Sequence, residues 1–147
     1  MVDIYTDGSC LGNPGRGGWG FIVYRDGDEI HRSSGREWLT TNNIMELTAF
    51  DNALSYVEEN ANDVVVTIHT DSNYVKQGIT SWIKNWLKND FKTSFGKDVK
   101  NKYLWISIHD KKQRLGSKVN VKWVKAHDGN PMNEAVDTLA RTEANLA

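Results

Sequence analysis

The hydrophobic period of the chain changes near Asn43, and neither an all-β nor an all-α fold satisfies both sides of that change. Before it, Val2, Ile4 and Thr6 alternate with Asp3, Tyr5 and Asp7, the two-residue period of a strand. Gly8 to Gly18 holds five glycines and Pro14 and reads as a loop. Trp19 to Arg25 is apolar and β-rich, and an Asp26-Gly27-Asp28 turn leads into a third strand over Glu29 to Trp38. From Asn43 onward Leu47, Phe50, Leu54 and Val57 fall on one helical face. A short strand follows over Val64 to Ile68, ending at Thr70-Asp71. Helical patterns run over Ser72 to Lys88, with a break at Gly78, and over Val99 to Leu115. A strand over Val119 to Val124 and a helix over Pro131 to Asn145, with proline in its first turn, close the pattern. This order predicts an α/β fold, a mixed sheet whose first three strands form an antiparallel meander, with helices on its faces.

With 147 residues, one domain over 1–147 is expected, and no stretch approaches the ~20 apolar residues of a membrane span. The first residues have no basic and apolar leader pattern. The single cysteine, Cys10, forbids an internal disulfide and fits a reducing, cytoplasmic setting. The net charge of -1 hides an asymmetry: Lys76 to Lys125 carries thirteen basic and three acidic residues. Trp82, Trp86, Phe91, Phe95, Tyr103 and Trp105 are interleaved with those lysines. Cations beside stacking rings suit a nucleic-acid backbone and its sugars.

Four carboxylates stand where elements begin or end: Asp7, Glu46, Asp71 and, in the last helix, Asp137. Each has an ordinary explanation. Asp7-Gly8 can be a turn pair. Asn43 to Glu46 has the spacing of a capping box with Asn43 as the N-cap. Asp71 can cap the helix after it, and Asp137 can face solvent. Taken together they read differently. Asp7 and Asp71 close two apolar strands expected to be sheet neighbours, and strand ends of an open α/β sheet are where sites form. Converging carboxylates repel unless cations hold them. Mg²⁺ is the hard, oxygen-seeking ion for such a set, and no Cys/His group suits zinc. Carboxylates beside a basic, aromatic strip point to metal-assisted phosphodiester chemistry.

The sequence resembles the type 1 ribonuclease H family. The resemblance rests on Tyr5-Thr6-Asp7-Gly8-Ser9-Cys10 through Gly15, Thr40-Thr41-Asn42-Asn43-Ile44-Met45-Glu46-Leu47 and Thr70-Asp71-Ser72-Asn73-Tyr74-Val75. It continues in Gly78-Ile79 running into Trp82 to Trp86, and in Trp123 to Gly129 leading to Asp137. It implies a five-stranded mixed sheet flanked by helices. It implies hydrolysis of the RNA strand of an RNA–DNA hybrid, leaving 5′-phosphate and 3′-hydroxyl ends. By the same resemblance Asp7, Glu46, Asp71 and Asp137 hold two Mg²⁺ ions, with Mn²⁺ as a substitute, and His127 assists proton transfer or product release. Cys10, Asn13, Asn42, Asn43 and Asn73 match positions that contact the hybrid, mostly its RNA strand. Thr41 and Asn101 match a DNA-phosphate pocket. Trp82, Lys84 and Lys88 belong to a basic protrusion that grips the DNA strand. Nothing in the sequence demands more than a monomer.

Three positions depart from the family pattern. Leu39 stands where many relatives carry a pocket arginine, a role Arg36 could take over. Asp90 interrupts the protrusion. Asp128 follows His127, where a carboxylate favours the imidazolium form. His31, His69 and His109 lack motif context and are read as structural or surface residues. Two other readings remain open at this point: an inert hybrid-binding module of the same fold, and another nuclease or strand-transfer enzyme of the wider superfamily.

Overall fold

Val2–Cys10 (β1) is paired along both of its edges in the computed structural model, which describes all residues from Met1 to Ala147. Gly15–Arg25 (β2) runs antiparallel to it on one side and Val66–Thr70 (β4) runs parallel on the other. Asp28–Thr40 (β3) lies antiparallel outside β2, and Val119–Trp123 (β5) lies parallel outside β4. The result is a five-stranded mixed sheet in the order β3-β2-β1-β4-β5, with the antiparallel meander that the sequence predicts.

Helices cover both faces. Asn42–Asn60 (α1) and Lys102–Leu115 (α4) lie on the face of Val2, Ile4, Phe21, Val23, Val66 and Ile68. Leu47, Phe50, Leu54 and Val57 of α1 pack there with Trp105 and Ile108 of α4. Pro131–Leu146 (α5) covers the opposite face, where Val136 meets Tyr5, Ile22 and Tyr24. This explains one departure from the sequence reading. Strand β1 alternates in chemistry but is buried on both sides, because α5 roofs Tyr5 as α1 roofs Ile4.

Several boundaries also differ: β4 is Val66–Thr70 rather than Val64 to Ile68, and α4 begins at Lys102 rather than Val99. The glycine-rich loop is only residues 11 to 14. Gly8 and Gly17 belong to strands, and their lack of side chains lets helical backbone and the Thr40 side chain lie against them. The N-cap of α1 is Thr41, whose hydroxyl accepts from the Ile44 N–H at 3.2 Å, and not Asn43. Ser72, not Asp71, caps Asn73–Gln77 (α2), its hydroxyl accepting from the Val75 N–H at 3.1 Å. Neither Asp71 nor Asn43 is therefore used as a cap. Pro131 opens the first turn of α5, as predicted, and Asn130 before it is the cap, its Oδ1 accepting from the Met132 N–H at 3.0 Å.

The histidines outside the loop motif are structural or peripheral, as expected. His69 stacks flat on Tyr5 at 4.1 Å and meets Asp3 at 2.8 Å, while His31 stacks on Tyr56. Trp86 packs against Trp105 and Phe91 beside the core.

The helical run after Asp71 does not break at Gly78. It passes from α2 through a wide turn at Gly78–Trp82 into Ile83–Lys88 (α3). Gly78 has ordinary helical dihedrals, so its glycine serves closeness rather than turning. A Cβ there would overlap the ring of Trp105, which is fully buried and has no free side to move into. Gly78→Ala is expected to cost about 1–3 kcal/mol by overpacking. A thermal melt checks this: an unchanged midpoint would show that the α2–α4 crossing is looser than described.

Candidate active site

The parallel register of β1 on β4 builds the site. Tyr5 pairs with His69 and Thr6 with Thr70, and continuing that register brings Asp7 alongside Asp71. Along β1 the side chains of Asp3, Tyr5 and Asp7 share the face covered by α5. That is how Asp137, from the second turn of α5, reaches Asp7. Glu46 arrives from α1, whose backbone at Met45 and Glu46 presses so close to Gly8 that a Cβ there would clash. Gly8 is thus needed for approach, and it donates its N–H to Asp7 Oδ1 at 2.9 Å.

Oxygens of Asp7, Glu46 and Asp71 lie within 4.8 Å of one another. Asp137 groups with His127 and Glu134 within the same span. Asp7 and Glu46 are almost fully buried, at 3% and 6% exposure. Burial and the charges of Asp71 and Asp137 push the Asp7 pKa up to about 9. Burial and the neighbouring acids also raise Glu46 well above the usual carboxylate range. Asp71 is raised by burial, with the Asn133 amide pulling it back. Glu46 Oε1 is buried without a hydrogen-bond partner. Buried acids that repel, one carrying an orphaned oxygen, form an all-oxygen donor set that a hard divalent cation would satisfy. Arg141, one turn along α5, holds Asp137 at 2.9 Å.

Asp7, Cys10, Asn42, Asn43, Glu46, Asp71, Asn73, His127 and Asp137 line one open cleft of about 420 Å³. Asn13 lies beside it, its Oδ1 accepting from the Asn42 N–H at 3.1 Å. The other sequence candidates lie outside the cleft lining. Thr41 spends its hydroxyl on the α1 cap. Asn101, in a left-handed conformation, donates to the Tyr74 hydroxyl at 3.1 Å. Trp82 is partly exposed and packs edge-on against Tyr74 at 5.6 Å. Lys84 and Lys88 are exposed about half a turn away from the Trp82–Trp86 face of the helix, and Lys84 borders a groove against α4. In the protrusion Lys92 is paired with Asp98 at 3.2 Å, as is Lys102 at the start of α4, so Asp98 lowers the protrusion's free charge as well as Asp90.

Two departures resolve differently from the sequence reading. Arg36 does not replace the missing cation at Leu39, because it is tied to Glu143 at 3.0 Å and to the Leu146 carbonyl. The acid within ion-pair range of the His127 ring is Glu134, at 3.7 Å, rather than Asp128. Glu134 was legible: it stands three residues before Asp137 on α5, hence on the same face. Asn133, buried next to Asp71, and Tyr74, bracing Asn101 and Trp82, carried no signal before the fold was known.

A β3-β2-β1-β4-β5 sheet with acids gathered where the pairing of β1 with β4 ends is the ribonuclease H-like fold. The RNase H family model matches residues 1–145. A ribonuclease H of Xanthomonas euvesicatoria pv. vesicatoria (strain 85-10) is 45% identical over 144 residues, 98% of this chain and 92% of its own. A ribonuclease HI of Pasteurella multocida (strain Pm70) is 48% identical over 144 residues, 98% of this chain and 90% of its own. The crystal structure of LC9-RNase H1, a type 1 RNase H with the type 2 active-site motif, superposes with a TM-score of 0.84 at 32% identity. That superposition covers 98% of this chain and 72% of that one. The chain belongs to the RNase H family, in its type 1 branch.

The raised Asp7 pKa makes a stability prediction. An acid whose folded pKa exceeds its unfolded value contributes stability below the unfolded value, and that stability is lost as pH rises toward the folded one. For Asp7 the window runs from 3.8 to about 9. In EDTA, Asp7→Asn should therefore melt above the wild type, with a gap that widens from pH 5 to pH 8 to several degrees. Mg²⁺ should raise the wild-type midpoint far more than the variant's. A gap that is absent or narrows with pH would show that Asp7 is not strained in the metal-free fold.

Proposed function

We propose that this chain is an endonuclease that hydrolyses the RNA strand of RNA–DNA hybrids, leaving 5′-phosphate and 3′-hydroxyl ends. One observation carries the reading: four acids from four separate elements, Asp7, Glu46, Asp71 and Asp137, meet at one end of the β1–β4 pair. In the proposed roles these carboxylates hold two Mg²⁺ ions, with Mn²⁺ able to substitute. Bound there, the ions supply Lewis acidity and an activated water beside the scissile phosphate.

The chain's own groups do the rest. Burial of Asp7 and Glu46 fixes the acids before substrate arrives, so little reorganisation is left for the reaction. His127, exposed on the loop ahead of α5 and facing Glu134, is assigned to assist proton transfer or product release. Cys10, Asn13, Asn42, Asn43 and Asn73 form the rim that reads the RNA strand, where amides supply donors and acceptors for 2′-hydroxyls. Thr41, Asn101, Trp82, Lys84 and Lys88 are assigned to the DNA strand. The proposed chemistry needs no second copy of the chain, since Asp7, Glu46, Asp71 and Asp137 all belong to one. No helix is long and apolar enough to cross a membrane. The lone thiol Cys10 supports a place in the reducing cytoplasm.

The test is a labelled RNA–DNA hybrid offered beside double-stranded RNA and double-stranded DNA. Only the RNA strand of the hybrid should be cut. EDTA should abolish cutting, and Asp71→Asn should lower kcat by roughly a hundredfold or more. Hybrid binding without cleavage in either Mg²⁺ or Mn²⁺ would establish the inert module instead.

A further inference from the structure

Trp123 ends β5 at the open edge of the sheet, paired with Thr70, the residue before Asp71. It continues the row of Val119 and Val121, which pack into the core, yet it is itself 42% exposed. A large ring at that edge has one evident occupation. The ammonium of Lys76, in the last turn of α2, sits over it at 5.2 Å from the centroid. Lys76 is exposed and enters none of the ion pairs of the chain. Its charge is held in place but not neutralised, since a ring face attracts a cation without cancelling it.

The direction of that charge follows from α2. Asn73 lines the cleft, and Lys76 stands one turn further along the same helix, on the same side. The pair therefore stands beyond Asn73 at the β5 edge of the sheet, outside the cleft lining itself. We propose that Lys76, held by Trp123, binds a backbone phosphate of the nucleic-acid strand that leaves the cleft past Asn73. This rests on the nuclease reading and adds to it a second, separate anchor on the strand. Trp123 is a positioning residue: by limiting the lysine's rotamers in the free protein, it reduces the freedom lost on binding.

The experiment measures Kd for a labelled hybrid in EDTA, so that no strand is cut, across a range of salt. Lys76→Gln should weaken binding roughly three- to fivefold and lower the salt slope by about 0.7–0.9, one phosphate contact. Trp123→Leu should weaken binding less and leave the slope unchanged, because the lysine is still present. The double variant should bind no worse than Lys76→Gln alone, since the ring acts through the lysine. Shortening the hybrid on one side of the cleavage position should erase the Lys76→Gln effect, and shortening the other side should not. An unchanged Kd and slope in Lys76→Gln would overturn the proposal. So would additive losses in the double variant, or an effect that survives truncation on both sides. Failure of wild-type cleavage in metal would count against the nuclease reading alone, because this binding test does not depend on cutting.

Discussion

The parallel pairing of β1 with β4 is the constraint on which the rest of the structure depends. It sets Asp7 and Asp71 side by side at the end of the sheet, where backbone pairing stops and side chains meet the cleft. A one-residue slip of that register would turn Asp7 and His69 to the wrong faces and separate the acids. The slip is resisted by burial on both sides: Ile4 and Ile68 are locked under α1, and Tyr5 and His69 stack under α5. The hydrophobic core and the site are therefore one device. The packing that stabilises the fold also forces the carboxylates together against their repulsion.

That repulsion gives the site its chemistry. Burial raises Asp7 and Glu46 far above ordinary acids, and a buried oxygen of Glu46 has no partner. The fold gives up stability at neutral pH to hold this arrangement. Divalent cations restore it, so the same strain that weakens the free protein favours metal loading. Polar and charged groups are spread around this centre. Asparagines rim the cleft, and a protrusion whose lysines are partly neutralised by Asp98 lies to one side. The near-neutral total charge is thus a sum of an acidic pocket and separate cationic points rather than a uniform field.

Much of this was legible in the sequence because the period of the apolar residues reports burial directly. The antiparallel meander, α1 and α5 followed from it, while the five-stranded sheet and the set of four acids rested on the family motifs. What escaped were features decided across the fold. Residues 8–10 and 15–18 read as loop because glycine lowers strand propensity, yet here glycines admit α1 and α5 at close quarters. Gly78 read as a helix break, but Trp105, far along the chain, is what requires it. The cap of α1, Thr41, lies two residues before the predicted Asn43, and that of α2, Ser72, lies one residue after the predicted Asp71, since either polar neighbour could serve and packing chose. Arg36 looked free to fill in for Leu39 because its partner Glu143 lies on the last helix.

Asp7 and Glu46, raised by burial and by the charges of neighbouring acids, should hold protons at neutral pH until a divalent cation displaces them. Calorimetric titration of the free protein with Mg²⁺ near pH 7, repeated in buffers of different ionisation enthalpy, measures that displacement directly. The heat should vary with the buffer, reporting net proton release as metal binds, and that variation should be lost in Asp7→Asn. A binding heat independent of the buffer in the wild type would show that the acids were already ionised, and would contradict that expectation.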